Sequence, residues 1–193
     1  MHKTLVIDIG GTFIKYAHMD DDMKILDRGK IQTPQGNRQE LVDALVQLYR
    51  LDTEIKGIGI SMPGIIDAAN GYVLMGGALR YNDDFYLRHA LYEHCPVPIH
   101  IENDAKCAAM AEAGAGALKD VEDGFVLIFG TMIGGGLIRG HKLQRGGNFS
   151  AGEVSYIISG GNQYPVREAV WGNRCGVPGL CRKYAERKHL NPS

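Results

Sequence analysis

The sequence predicts an α/β protein made of two domains. Short apolar strands alternate with amphipathic helices, glycine pairs follow several strands, and a strand followed by a glycine-threonine turn occurs on each side of the central helices. At 193 residues the chain is long enough to bury the core of one large or two small domains. Its 45% hydrophobic and 22% charged residues are typical of a folded globular protein.

The charge and cysteine content exclude several classes of function. A net charge of −1 gives no overall field for nucleic acid or for an acidic membrane. The four cysteines are irregularly spaced, which favours reduced thiols over a disulfide framework. The first residues lead directly into a strand, and no apolar run is long enough to span a bilayer. We therefore expect a cytoplasmic protein.

The first glycine turn follows the first strand. Residues 5–9 are strand formers, so Asp8 lies near a strand end. Gly10 and Gly11 let backbone N–H groups approach an anion, and Thr12 adds a hydroxyl donor. Because residues 13–17 form a returning strand, the turn is not a Walker loop or a Rossmann fingerprint, both of which need a helix next. Alone, this motif favours an ordinary hairpin with a buried aspartate.

The following elements predict an open α/β sheet. Asn37 is a good N-cap for a helix that ends at Arg50, and Pro63 takes the chain out of the sheet after the next strand. The predicted order is three strands, helix, strand, helix, strand, helix, and it resembles the ribonuclease-H-like core, in which strand ends converge on one cleft. Besides the first hairpin, the predicted elements are strand 24–32, helix 37–50, strand 55–61, helix 84–94, strand 98–104 and helix 105–117. We place the domains at 1–105 and 106–193.

The second domain begins with the same strand-turn-strand motif as the first. Residues 125–129 form an apolar strand, Gly130 and Thr131 form the turn, and residues 133–138 return. Two such turns facing each other across a cleft would hold the two ends of a polyphosphate. An internal duplication is more specific than one glycine pair.

Together these motifs resemble those of the ROK family of sugar kinases, open-reading-frame proteins and repressors, within the actin-like ATPase and sugar kinase superfamily. Residues 75–80 and 151–157 are most similar to the β-glucoside kinase branch of that family. The matching segments are Asp8-Ile-Gly-Gly-Thr12, Ser61-Met-Pro-Gly64, Glu102-Asn-Asp-Ala105, Ala111-Glu112, Gly130-Thr-Met-Ile-Gly-Gly-Gly136 and Gly147-Asn-Phe-Ser-Ala-Gly-Glu153.

The resemblance implies an ATP-dependent kinase that phosphorylates the 6-hydroxyl of a hexose or a β-glucoside. It implies that Asp104 is the general base and that Asp8 holds Mg²⁺, through water. A carboxylate at a strand end can accept a hydroxyl proton, and Mg²⁺ needs only one or two carboxylates. The implied sugar-binding residues are Asn103, Glu153, Gly77 and Tyr156. The implied nucleotide-binding residues are Asp8, Gly10, Gly11, Thr12, Gly130 and Thr131.

Each of these residues has a structural alternative. Asp104 could instead be the N-cap of the helix that follows it. Glu153 could be a surface charge in a glycine-rich loop, and Lys15 is interpreted as part of a solvated strand face. The seven histidines show no metal-ligand spacing, so none is proposed as a ligand.

The sequence departs from the family at the zinc site. Many ROK proteins hold a structural zinc with a Gly-His pair and a Cys-x-Cys-x4-Cys cluster. Here Ser155 and Tyr156 replace the Gly-His pair, and Cys175 and Cys181 are the nearby thiols. Two thiols cannot make a four-ligand site, so we expect no zinc. In place of the family's histidine, Tyr156 could leave space for a substituent on C1, which favours a β-glucoside such as cellobiose.

A second departure is length, because full ROK kinases are longer than this chain. The resemblance therefore implies an incomplete second domain, whose exposed apolar surface would favour a homodimer. We expect a small-molecule sugar as partner, with no nucleic acid and no membrane. The alternative is a non-catalytic sugar-binding or sugar-sensing ROK protein. A ROK repressor would need an N-terminal helix-turn-helix, for which a first strand beginning at residue 4 leaves no space.

Overall fold

A computed structural model describes residues 2–159 and 169–190. The chain divides into two compact units, residues 1–104 (unit 1) and 105–193 (unit 2). The predicted boundary at 105/106 lies one residue later. The strands are β1 Lys3–Ile9, β2 Phe13–Met19, β3 Ile25–Gln32, β4 Ile55–Met62, β5 Ile65–Asp67, β6 Tyr72–Met75, β7 Ile99–Asn103, β8 Gly124–Phe129, β9 Ile133–Arg139 and β10 Lys142–Gln144. The helices are α1 Arg38–Arg50, α2 Leu87–Tyr92, α3 Asp104–Ala115, α4 Trp171–Cys175 and α5 Val177–Lys188, with 3₁₀ turns at Arg80–Asn82 and Val154–Tyr156.

Unit 1 is built on a five-stranded sheet with the order β3-β2-β1-β4-β7. β1, β2 and β3 form an antiparallel meander, and β1, β4 and β7 run parallel to one another. Because β1 belongs to both groups, the first glycine turn and the ends of the parallel strands lie at the same edge of the sheet. This mixed α/β architecture confirms the predicted fold class.

The helix α1 begins where the sequence predicts. The Asn37 side chain accepts a hydrogen bond from the Glu40 backbone N–H at 3.1 Å, which satisfies one of the free donors of the first turn. Five apolar residues of this helix are buried in the core of unit 1: Leu41, Val42, Leu45, Val46 and Leu48. Their spacing of three and four residues places them on one face, so α1 packs on the sheet as an amphipathic helix.

The segment between β4 and β7 differs from the prediction. A helix is expected over residues 84–94, but α2 spans only Leu87–Tyr92. Asp84 has a left-handed backbone with φ of 53°, and Phe85 forms an isolated antiparallel bridge with Val73 of β6. These two features keep Asp84 and Phe85 out of a helical conformation, so the helix starts later. The short strands β5 and β6 form a separate hairpin that the sequence analysis does not predict.

Unit 2 contains a three-stranded antiparallel sheet with the order β10-β9-β8. Its meander has the same strand order as β3-β2-β1 in unit 1, and each meander has its glycine-threonine turn between the first two strands. The sequence repeat therefore corresponds to a repeat in topology.

The glycines of β9 allow close packing on both faces of the strand. A Cβ atom added at Gly134 or Gly136 would lie 2.7 Å or 2.4 Å from the Cβ atoms of Ala105 and Ala109 in α3. On the opposite face, a Cβ at Gly135 would lie 2.5 Å from the carbonyl oxygen of Gly152. All three distances are shorter than real Cβ contacts, so only glycine lets α3 and the segment before Glu153 approach this strand.

None of the helices in the described part of the chain has the length and apolar character needed to cross a membrane.

Candidate functional site

Three parallel strands of unit 1 bring polar side chains to the same level. Asp8 of β1 is opposite Ser61 of β4, and Ser61 is opposite Glu102 of β7. Neighbouring strands lie about 4.8 Å apart, so the backbones at Asp8 and Glu102 are roughly 10 Å apart. Asn103 and Asp104 come directly after Glu102, at the carboxyl end of the sheet where open α/β folds bind ligands.

The Asp8 carboxylate has hydrogen-bond donors from both neighbouring strands. The Ser61 hydroxyl donates to Oδ1 at 3.1 Å, and the Lys15 ammonium donates to Oδ2 at 3.3 Å. The Asp8 side chain is 49% exposed, so it remains open to solvent despite these contacts. Lys15 is 69% exposed, as a solvated residue should be, but its charge also pairs with Asp8 directly across the strands.

The first glycine turn directs its carbonyl groups toward the protein. The carbonyl oxygens of Gly10 and Thr12 accept from the Thr33 side chain at 2.7 Å and the Thr33 backbone N–H at 3.0 Å. The Gly11 carbonyl accepts from Gln35 at 2.9 Å. Among the described residues, the backbone N–H groups of Gly11 and Thr12 have no hydrogen-bond acceptor, and both residues are exposed. Free, outward N–H groups in a glycine turn suit a phosphate group.

The two glycine-threonine turns share a hydrogen-bonding pattern. In the first, the Gly10 N–H donates to the Phe13 carbonyl at 3.0 Å, and in the second the Gly130 N–H donates to the Met132 carbonyl at 2.9 Å. In each case the acceptor is the residue directly after the threonine. Thr131 is exposed, like Thr12. Both turns are thus closed by a hydrogen bond from a glycine N–H to the carbonyl of the residue after the threonine. The second turn contains one glycine where the first contains two.

Asn103 is fixed by a loop of unit 1. Its side chain is buried, and its amide nitrogen donates to the Gly64 carbonyl at 2.9 Å. Gly64 and Gly77 both have positive φ, 115° and 60°, and a Cβ at Gly77 would lie 3.0 Å from the Gly64 nitrogen. A Cβ at Gly11 would lie 3.7 Å from that of Ala78. The structure therefore brings together Asn103, Gly77 and the first glycine turn within unit 1.

Asp83 closes the loop that contains Gly77, and the sequence analysis does not identify it. Its carboxylate accepts from the Gly76 backbone N–H at 2.8 Å and from Arg80 at 2.7 Å. The Gly76 N–H, and then Arg80, lower the pKa of this carboxyl below its usual value. The three-residue spacing of Arg80 and Asp83 was a usable signal, but the Gly76 contact depends on the fold of the loop.

Asp104 is the first residue of α3, and it is exposed. The N-terminus of a helix carries a partial positive charge, which stabilises a carboxylate there. Because the helix begins at Asp104 itself, this residue lies in the first turn and one position after the N-cap, and its carboxylate is exposed to solvent.

In unit 2, Glu153 lies next to a lysine that the sequence analysis does not identify. Lys106 of α3 is only 1% exposed, and its ammonium lies 3.5 Å from Glu153 Oε1. The Glu153 side chain is 17% exposed, so it is not the free surface charge of the alternative interpretation. Tyr156, in the following 3₁₀ turn, is 55% exposed. The sequence around Lys106, an alanine-rich helix, does not predict that this side chain is buried.

The donor atoms fit the ligands that the resemblance implies. Mg²⁺ prefers hard oxygen ligands and keeps several waters, and Asp8 offers an exposed carboxylate beside the outward N–H groups of Gly11 and Thr12. In residues 2–159 and 169–190, no three His, Cys, Asp or Glu side chains lie close enough to hold a metal. The four cysteines are thiols and not disulfides. The expectation that no zinc is bound remains a prediction.

This topology and its glycine turns define a member of the actin-like ATPase and sugar kinase fold class. A family model described as the ROK family matches residues 4–185, so the chain belongs to the ROK family. It is 32% identical over 186 residues to a beta-glucoside kinase from Klebsiella pneumoniae, covering 95% of this chain, and 34% identical over 157 residues to one from Listeria monocytogenes, covering 81%. The chain spans 62% and 53% of these two relatives.

Solved structures show the same fold. The Lmo2764 protein of Listeria monocytogenes superposes with a TM-score of 0.89 and 31% identity, over 98% of this chain and 66% of the other. A ROK family glucokinase from Streptomyces griseus, solved in complex with glucose and AMPPNP, gives a TM-score of 0.83 and 27% identity, over 98% and 62%. These matches confirm the predicted fold class and the predicted resemblance.

Proposed function

We propose that this protein is an ATP-dependent carbohydrate kinase that transfers the γ-phosphate of ATP to a sugar hydroxyl. The observation that carries the proposal is the exposed Asp104 carboxylate, which follows the end of β7. Asp8 lies near the end of β1 at the same edge of the sheet, just before the first glycine turn. A proton acceptor and a phosphate-binding turn at one edge are the two groups that phosphoryl transfer requires.

Asp104 acts as the general base in this proposal. It accepts the proton of the sugar 6-hydroxyl while that oxygen bonds to the γ-phosphorus and the bond to ADP breaks. Asn103 and Glu153 bind sugar hydroxyls, and both side chains are held by other protein groups, which fixes their orientation before the sugar binds. A base in this position contributes about 10²–10⁴-fold to the rate.

Two turns bind the phosphates in this proposal. The N–H groups of Gly11 and Thr12 donate to phosphate oxygens, with Gly10 shaping the turn through its bond to Phe13. Gly130 and Thr131 serve the same purpose in unit 2. Asp8 holds Mg²⁺ through water. A hydrated Mg²⁺ held there would supply positive charge to offset that of the phosphates.

The proposed substrate is a β-glucoside, phosphorylated at its 6-hydroxyl. Tyr156 stands where many ROK proteins have a zinc-bound histidine, and it is exposed enough to contact a substituent on C1. Gly77 lies in the loop beside Asn103, where a side chain would approach the Gly64 backbone. Two relatives of 32% and 34% identity are called beta-glucoside kinases, which supports this choice.

We further propose that the protein is cytoplasmic and forms a homodimer.

A coupled assay that detects ADP tests the proposal. The protein would be incubated with Mg²⁺, ATP and one sugar from a panel of glucose, cellobiose, N-acetylglucosamine and N-acetylmannosamine. We expect ADP release that requires a sugar and is fastest with cellobiose. A strong preference for free glucose would remove the β-glucoside assignment, and ADP release independent of any sugar would remove the kinase assignment.

A further inference from the structure

Lys106 is a buried lysine that contacts one loop of unit 2 at Phe149 and at Glu153. Its ammonium donates to the Phe149 carbonyl at 3.0 Å and lies 3.5 Å from Glu153 Oε1. The side chain is 1% exposed, so the ammonium group is almost completely shielded from water. Burying an ammonium group is unfavourable unless it is paired and hydrogen-bonded, and these two oxygens contribute to that compensation.

The packing of β9 explains how Lys106 reaches this loop. Gly134 and Gly136 allow α3 to approach one face of the strand, and Gly135 allows Gly152 to approach the other. The backbone therefore holds both the helix that carries Lys106 and the loop that ends in Glu153 close to one strand. From α3, the long side chain of Lys106 contacts both the Phe149 carbonyl and the Glu153 carboxylate.

The two contacts of Lys106 lie at opposite ends of the segment Phe149–Glu153. Phe149 has a left-handed backbone with φ of 58°, which is uncommon for a bulky residue. The bond from Lys106 to the Phe149 carbonyl stabilises this conformation, and the same ammonium attracts the carboxylate four residues later. One group thus fixes both the path of the loop and the orientation of its acidic side chain.

We propose that Lys106 is a positioning residue for sugar binding, which holds the Glu153 carboxylate in the orientation that accepts sugar hydroxyls. It acts through Glu153 and does not itself contact the sugar. This inference rests on the proposed function, because it assigns Lys106 a purpose in the same sugar site. Neither the family motifs quoted above nor the composition of the helix points to this residue.

Sugar affinity in a double-mutant cycle tests the proposal. The variants are Lys106→Met, Glu153→Gln and the two combined, with Lys119→Met as the control at an exposed lysine. Cellobiose and glucose affinities would be measured by calorimetry, together with the affinity for AMPPNP and Mg²⁺. We expect Lys106→Met to weaken sugar binding by about tenfold or more, the size of one lost charge-assisted contact. Nucleotide affinity should be unchanged.

The cycle separates positioning from general damage. If Lys106 acts through Glu153, the double variant binds sugar no more weakly than Glu153→Gln alone. Additive losses, an equal loss of nucleotide affinity, or unchanged sugar affinity in Lys106→Met would each overturn the proposal. Lys106→Gln keeps a donor for the Phe149 carbonyl without the positive charge, and it serves as the second variant if Lys106→Met does not fold.

Hydrogen exchange keeps the inference testable if the wild-type protein binds no sugar at all. That result would contradict the proposed function, whereas the positioning of the loop would still be measurable. The amides of Ala151 and Glu153 donate to Arg145 and Ser150 at 3.0 and 3.1 Å. We expect Lys106→Met to accelerate their exchange about tenfold or more relative to the amides of β9. Unchanged exchange would overturn the positioning role independently of any ligand.

Discussion

Asp8 is both hydrogen-bonded and open to solvent. Its carboxylate is bonded by Ser61 and Lys15, yet half of the side chain is open to solvent. Exposed ion pairs such as Asp8 with Lys15 contribute only about 0–1 kcal/mol to stability. Replacing the Asp8 carboxylate should therefore change the stability of the fold only slightly.

The substitution Asp8→Asn should weaken binding of Mg²⁺ and AMPPNP without changing sugar affinity. The amide keeps the shape of the side chain but loses the negative charge that holds the hydrated metal. We expect a loss of about tenfold in nucleotide affinity, corresponding to ~1.4 kcal/mol, measured by calorimetry with and without Mg²⁺. Asp43→Asn, on the exposed face of α1, is the matched control. Equal affinities for Asp8→Asn and wild type would remove Asp8 from the nucleotide site.

Residues with a local signal were easier to predict than residues fixed by tertiary packing. Asp8 and the Gly10-Gly11-Thr12 turn follow a strand pattern that can be read in eleven residues. Lys106 resembles any solvated helix lysine in sequence, because its burial depends on glycines of β9 almost thirty positions later. No local pattern contains that information.

The strand β9 shows how one element can position two others. Its three consecutive glycines were interpreted from sequence as part of a returning strand, but their positions on alternate faces decide what can pack there. Each approach would be blocked by a single methyl group. The contact between Lys106 and Glu153 therefore depends on glycine at these positions.

A matched pair of glycine substitutions tests this packing. Gly136→Ala places a Cβ 2.4 Å from that of Ala109, so we expect a loss of about 1–3 kcal/mol in the free energy of unfolding. Gly114→Ala in α3 meets nothing within 4 Å, and it should stabilise by about 0.5–1 kcal/mol. Both values can be measured by chemical denaturation. A Gly136→Ala protein as stable as wild type would contradict the proposed packing.

The loop between β6 and α2 should show a pH-dependent stability. The Gly76 N–H lowers the pKa of Asp83, so the ionised carboxylate stabilises the folded protein at pH 7. This contribution is lost as the pH falls below the ordinary value of 3.8 and through the lower folded pKa. Asp83→Asn should therefore lower the melting temperature at pH 7, and the difference from wild type should shrink toward pH 2. An equal difference at both pH values would show that ionisation is not the cause.

Longer elements were predicted more accurately than short ones. The bounds of α1 and the end of β1 follow from apolar spacing, the Asn37 cap and the glycine turn, whereas β1 begins earlier than predicted, at Lys3. The strands β5 and β6 have only three and four residues, too few to show a period. The helix α2 is shorter than predicted because the bridge between Val73 and Phe85 competes with helix formation, a tertiary contact that overrides local propensity.

At the scale of the whole molecule, β8 is an edge strand with apolar side chains in solvent. In the described sheet of unit 2 it pairs with β9 alone, and Phe125, Leu127 and Phe129 are 43%, 41% and 54% exposed. Unpaired backbone groups next to apolar side chains favour pairing with another chain. This surface is our candidate for the contact in the proposed homodimer.

The substitution Leu127→Lys should shift the protein from dimer to monomer. A lysine on an edge strand opposes pairing because its charge would be removed from water in the interface. The molar mass would be measured by light scattering after size exclusion. Leu51→Lys changes another exposed leucine, 62% exposed and just beyond the end of α1, and should leave the molar mass unchanged. If Leu127→Lys forms the same species as wild type, β8 is not the interface.

Formation of a sugar phosphate by wild type and by Asp104→Ala tests the central claim most directly. Phosphorus NMR would follow the conversion of ATP and cellobiose at saturating Mg²⁺, with Asp120→Ala as the control at another exposed aspartate. Our account predicts a new phosphate monoester in the wild-type reaction, a rate lower by about 10²–10⁴-fold for Asp104→Ala, and unchanged cellobiose affinity. Asp104→Ala forming the product at the wild-type rate would contradict the account.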